Sequence, residues 1–128
     1  MRDLENNIGA VQAVAPAVLT ATNTSGAIDL AGFGSAAVVI NTGAIAASGD
    51  FTAKLQESDT TTPGDFTDVV AANLTGTFPA SLAADSVVKV GYIGNKRYLR
   101  TVLTRNGGTS IAAGAVIIKG NALNRPVA

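Results

Sequence analysis

Arg97-Tyr98-Leu99-Arg100-Thr101-Val102-Leu103-Thr104-Arg105-Asn106-Gly107-Gly108 decides the fold class. Leu99, Thr101 and Leu103 alternate with Arg100, Val102 and Thr104, and a period of two marks a strand with one face turned to a core. The run ends on Asn106-Gly107 and is entered through Gly94-Asn95. Both pairs tolerate the positive φ that hairpin turns require. The same alternation recurs upstream. Phe51, Ala53 and Leu55 interleave with Thr52, Lys54 and Gln56, and Ile28 and Leu30 flank Asp29. Val87-Val88-Lys89-Val90 and Ala115-Val116-Ile117-Ile118 are short apolar runs of the kind found in strands buried on both faces. Thr, Val and Ile dominate these stretches, and β-branched side chains favour pleated surfaces.

Turn signals punctuate the chain at strand-like spacing: Asn23–Gly26, Ala31–Gly34, Asn41–Gly43, Ser48–Asp50 and Pro63–Asp65. The strands read as 17–22, 27–31, 36–42, 51–58, 66–71, 74–78, 86–93, 97–105 and 113–119. About eight or nine short strands with no long helical period predict an all-β antiparallel sandwich, in jelly-roll form. Leu4, Ile8, Val11 and Val14 have a spacing near that of a helix, but Gly9 and Pro16 limit it to about two turns. Residues 1–16 therefore read as an N-terminal arm with at most a helical turn, and residues 17–128 as a single sandwich domain.

A chain of 128 residues makes one domain. Charged residues are 14% of it, against a typical ~25%, and the formal net charge is zero. That balance suits a chain whose surface is covered in use. The charges are also segregated. Residues 1–85 hold all nine Asp and Glu with only Arg2 and Lys54, whereas residues 86–128 hold seven Lys and Arg and no acid. The two parts can meet each other or a neighbour. The N-terminus has acids where a signal peptide needs bases, and its apolar stretch Ile8–Leu19, interrupted by Gln12 and Pro16, is far short of the ~20 residues of a membrane span. The chain reads as soluble, made in a cytoplasm and without a membrane partner.

The absence of His and Cys removes most catalytic and metal chemistry. Ser and Thr have no His to act as base, no Ser-x-x-Lys pattern is present, and Gly32-Phe33-Gly34 and Gly107-Gly108 lack phosphate-loop spacing. The loop Glu57–Asp68 offers carboxylates and hydroxyls for calcium, but its spacing is not that of an EF-hand, and Asp and Thr there serve the turn itself. These readings predict no enzyme, no cofactor and no metal. The segment Tyr92–Arg100 combines bases with Tyr, as nucleic-acid binders do. On a strand its charges divide between the two faces, and zero net charge removes long-range attraction, so no nucleic-acid partner is expected.

Several segments together resemble small virion proteins of tailed bacteriophages, the head decoration or cement proteins. They are Met1–Gly9 with Gln12, Ala13 and Pro16; Lys54–Asp59 followed by Phe66–Val69; Leu74–Ala80; Val90–Arg100; and Ala113–Ile118. The resemblance runs over nearly the whole chain. It implies a jelly-roll-like domain on the outside of a capsid, bound to the major capsid protein and to copies of itself as dimers or trimers, stabilising the shell. The location implied is the capsid surface of the virion. Such a protein needs association surfaces rather than chemistry, and an arm can tie neighbours by strand addition. The contact residues expected from the arm and the charge split are Arg2, Leu4, Ile8, Val11, Lys96, Arg97 and Arg100. The alternative is a tail or head–tail connector part of a phage. A sugar-binding sandwich would present aromatic platforms, and this chain has no Trp and only Tyr92 and Tyr98.

Overall fold

The computed structural model describes residues 3–123. Ten strands follow in order: β1 (Gly9–Leu19), β2 (Asn23–Thr24), β3 (Ile28–Asp29), β4 (Phe33–Ala46), β5 (Asp50–Ser58), β6 (Thr67–Asp68), β7 (Leu74–Thr75), β8 (Val87–Tyr92), β9 (Tyr98–Gly107) and β10 (Ser110–Ala122). Helical structure among the described residues is confined to 3-10 turns at Glu5–Asn7, Pro63–Asp65 and Ala71–Asn73. The strands form two antiparallel sheets. Sheet I has the order β1-β10-β4-β8-β7, and sheet II the order β2-β9-β5-β6, with β3 also on β9.

β2 and β3 are two halves of one interrupted strand. Asn23 pairs with Leu103 and Ile28 with Leu99 on the same partner. Between them Ser25 keeps the ladder going. Its N–H donates to Thr101 O at 2.9 Å, and its Oγ accepts the Thr101 N–H at 2.9 Å. Counting that pair once and setting the short β7 aside leaves four strands per sheet. Numbered one to eight along the chain, they lie 1-8-3-6 and 2-7-4-5, which is the jelly-roll order. The architecture expected from the alternation is the one observed.

The inward faces supply the core. Val38, Ile40, Val90, Ile111 and Ile117 of sheet I interdigitate with Phe51, Leu55, Leu99 and Leu103 of sheet II. Each such side chain contributes about 1.5–3 kcal/mol by leaving water. Leu82, in the connection from β7 to β8, seals the lower end, its N–H donating to Phe51 O at 2.8 Å.

The main departure lies at the N-terminus. Residues 9–16, expected in an arm, are instead the first part of β1, an edge strand on β10. Register breaks between Gln12 and Val14 and between Val14 and Ala17 interrupt the period-two pattern, which is why it did not read as a strand. Pro16 is tolerated because an edge strand has one side with no ladder to supply. The helical turn foreseen in the arm is the 3-10 turn Glu5–Asn7.

Candidate functional site

The outer faces of the two sheets differ in chemistry. On sheet II the outward side chains engage one another. Lys54 Nζ lies 3.0 Å from Asp68 Oδ1, Gln56 Nε2 donates to the same oxygen at 2.8 Å, and Arg100 Nε donates to Gln56 Oε1 at 2.7 Å. The Arg100 guanidinium also covers the Phe66 ring, 4.4 Å from its centroid. This is a polar surface with its hydrogen bonds made.

Sheet I is the opposite. Its outward residues form rungs across the strands: Gln12, Val116, Val39 and Lys89; then Ala10, Ile118, Ala37, Gly91 and Thr75; then Gly114, Asn41 and Val87. Lys89 is the one charged side chain in these rungs. Val87 is 66% exposed, Val18 65% and Val116 37%. Small residues hollow the surface. Ala112 and Gly114 floor a trough of about 680 Å³ walled by Pro16 and Val18 of β1 and by Val39 and Asn41 of β4. Two glycines here sit at close approaches. A Cβ on Gly114 would come within 3.0 Å of the Pro16 ring, and one on Gly91 would collide with Thr75 Oγ1.

The residues expected from sequence to make contacts do not share one surface. Arg2 lies outside the described residues. Leu4 is exposed beside the 3-10 turn, Ile8 is half-buried, and Val11 is half-buried and packs against the core. Lys96 Nζ sits 2.9 Å from Asp59 Oδ2. Arg97 holds Asp29 with two bonds, Nε to Oδ1 at 3.0 Å and a terminal nitrogen to Oδ2 at 2.9 Å. The guanidinium, with the Ala31 N–H, holds the Asp29 carboxyl down to about 2. Asp59 in turn raises the Lys96 ammonium above its ordinary value. Arg100 faces outward on sheet II. Two bases of the second part, Lys96 and Arg97, thus pair with acids of the first within the same fold.

The acidic loop disperses its carboxylates. Glu57 turns inward and accepts the Tyr92 hydroxyl at 2.7 Å, and the Tyr92 oxygen accepts the Lys96 N–H at 3.0 Å. Burial, reinforced by Glu57, pushes the Tyr92 phenol above its ordinary range. Asp65 accepts the Thr60 hydroxyl at 2.7 Å, and Asp68 serves Lys54 and Gln56.

Sequence reasoning missed the outer face of sheet I as a surface, although the signal was present. Val87–Val90 and Ala115–Ile118 read as strands buried on both faces. In the structure only their inner face is covered, while Val87 and Val116 stand in the open.

No protein-family model matches the chain, and no curated protein matches it. Among solved structures, the chain is similar to the SPBc2 prophage-derived protein YomS. The TM-score is 0.52 at 11% identity, covering 88% of this chain and 92% of that one. It is also similar to a chain of infectious bursal disease virus, Gx strain, with TM-score 0.44 at 13% identity over 93% of this chain and 33% of that one. A third similarity is to a CBM4 structure, with TM-score 0.44 at 12% identity over 94% and 71% of the two chains. The likeness to the prophage-derived protein is one of fold.

Proposed function

We propose that this chain is a structural virion protein of a tailed phage, a head decoration or cement protein that binds the outside of the capsid and stabilises contacts between major capsid protein subunits. The observation that carries this reading is the uncovered apolar outer face of sheet I. Its strands have the composition of strands buried on both sides, so the surface is built to be covered by protein. A jelly roll with one such face suits a packing part. In this reading the chain performs no catalysis, takes no cofactor, and works on the capsid surface after synthesis in the host cytoplasm.

A lattice component needs a second surface, for the shell. The end of the sandwich beyond the Gly9–Lys119 rung supplies it. Leu4, Ile93 and Leu123 are exposed there, beside the Asp29–Arg97 and Asp59–Lys96 pairs. Many copies per particle make weak individual contacts sufficient.

The test is co-sedimentation of the purified chain with mature heads stripped of it. Saturable binding at many copies per head is expected, and Leu4→Asp with Leu123→Asp lowers occupancy. Deleting residues 2–7 lowers it too while leaving β1 whole; deleting further would remove the edge of sheet I. Absence of binding overturns the reading, and occupancy by a single ring of copies moves the chain to the tail or connector.

A further inference from the structure

Asn106-Gly107 has the form of a hairpin turn, yet the fold does not use it as one. Neither residue has a positive φ; the left-handed position between β9 and β10 is Gly108, at φ 67°. A Cβ on Gly107 would meet nothing within 4 Å. Glycine at 107 is therefore required neither by backbone conformation nor by close approach. The pair has instead a chemistry of its own. No other Asn of the chain, and no Asp, precedes a glycine. We propose that Asn106 is a site of spontaneous covalent modification in the folded protein, deamidating through a cyclic imide with Gly107.

Water is the sole co-reactant. Hydroxide takes the proton of the Gly107 amide, and the nitrogen attacks Asn106 Cγ. The bond from Gly107 N to Cγ forms and the Cγ–Nδ2 bond breaks. Nδ2 leaves as ammonia with a proton from water, which restores the hydroxide. Water then adds to either carbonyl of the five-membered imide. Opening at Cγ gives an aspartyl residue at position 106. Opening at the Asn106 main-chain carbonyl gives an isoaspartyl residue, in which the chain runs through Cβ and Cγ. Glycine favours ring closure because no Cβ obstructs its nitrogen and its φ and ψ are free.

The fold leaves that route open. Asp50 pairs with Gly107 and Phe51 with Arg105, so Asn106 is the extra residue of a bulge, with no partner in the ladder. The Asp50–Gly107 rung is the last of the β5–β9 pair, and terminal rungs open readily. Asn106 is exposed. Its one side-chain hydrogen bond among the described residues, from Nδ2 to Thr52 Oγ1, is 3.3 Å long, outside the usual range. The two products differ in fit. The aspartyl form adds a single negative charge, beside Arg105, to a chain of zero net charge. The isoaspartyl form adds a backbone carbon just before Gly107 and Gly108. Gly108 lies against Ser48, and its carbonyl accepts the Arg105 Nε–H at 3.1 Å, so the added length loosens the end of β9. That end is opposite the one bearing Leu4, Ile93 and Leu123, and the inference stands apart from how the chain meets a capsid.

Ageing of the purified full chain at neutral to mildly alkaline pH tests it, read by peptide mass spectrometry and by enzymatic methylation of isoaspartyl residues. The peptide holding Asn106 is expected to gain about 1 Da, the exchange of NH2 for OH, with isoaspartyl as part of the product. The gain should quicken about tenfold per pH unit, as the deprotonated fraction of the amide does. Gly107→Ala, whose added methyl meets no atom, should slow it about tenfold or more without lowering the melting midpoint. Asn106→Asp should focus at the more acidic position that the aged wild type acquires. Unfolding in urea should speed the reaction by no more than about tenfold, because the bulge already frees the residue. An unchanged mass at Asn106 while other Asn react, a rate indifferent to Gly107→Ala, or a reaction seen only in urea would each overturn the proposal.

Discussion

Thr101 is a side chain at odds with its surroundings. It stands on the inner face of β9 between Leu99 and Leu103, fully buried, and its Oγ1 has no hydrogen-bond partner. An unmet buried hydroxyl costs about 1–3 kcal/mol. Thr101→Val keeps the shape and removes the hydroxyl, so it should stabilise the fold by about 1 kcal/mol and raise the melting midpoint by a few degrees in calorimetry. Asp29 is a residue whose role depends on pH. Its pKa falls from 3.8 to about 2 in the folded state, chiefly through Arg97. A lowered carboxylate pKa adds stability above the unfolded value, and that stability is lost as pH falls through the folded one. Asp29→Asn should therefore cost under about 1 kcal/mol near neutrality, the pair being half exposed. Urea denaturation should show the gap between the two proteins closing from about pH 4 to pH 2. A gap that persisted at pH 2 would assign the effect to something other than the ion pair.

At the scale of elements, legibility followed regularity. β5 alternates apolar inward and mostly polar outward residues from Phe51 to Leu55, and β9 does so but for Thr101 inward and Val102 outward. Both were readable to within two residues at each end. β1 was not, for two physical reasons. Its register breaks shift the pattern, and its outer residues Ala10, Ala15 and Val18 are as apolar as its inner ones. The same lack of contrast concealed the candidate site. A strand exposed to nothing polar on either side shows no period at all, and periodicity is how exposure is read. By contrast, the bases at 96, 97 and 100 are conspicuous in the sequence, yet the fold engages them with Asp29, Asp59, Gln56 and Phe66. The seam between β1 and β10 depends on Gly114. Gly114→Val would drive two methyl groups into Pro16 and lift the second half of β1, a loss of about 1–3 kcal/mol. Hydrogen exchange should then rise at Ala17–Leu19 and stay unchanged in sheet II. Uniform loss of protection across both sheets would contradict the local role given to this contact.

The whole molecule is organised by difference between its surfaces. Sheet II carries an interlocked polar face, sheet I an apolar one, and the end bearing the first and last described strands carries exposed Leu4, Ile93 and Leu123. That arrangement leaves the apolar face and the apolar end on separate parts of the surface. The strand order has a further effect, on the making of the molecule. Among the described residues β10 comes latest in the chain, yet it lies inside sheet I between β1 and β4. Until it arrives β1 has no neighbour to bond, and β4 has lost one of its two. Closure of sheet I therefore waits for β10. The pairing of β1 with β10 is far from local in sequence, and such pairing makes folding slow, in the millisecond-to-second range of sandwich proteins. Stopped-flow refolding should fall there, and chains truncated before Ser110 should gain no native fluorescence from Tyr92. The slowest pairing to form in sheet I is thus the one that joins its most distant strands in sequence, β1 and β10.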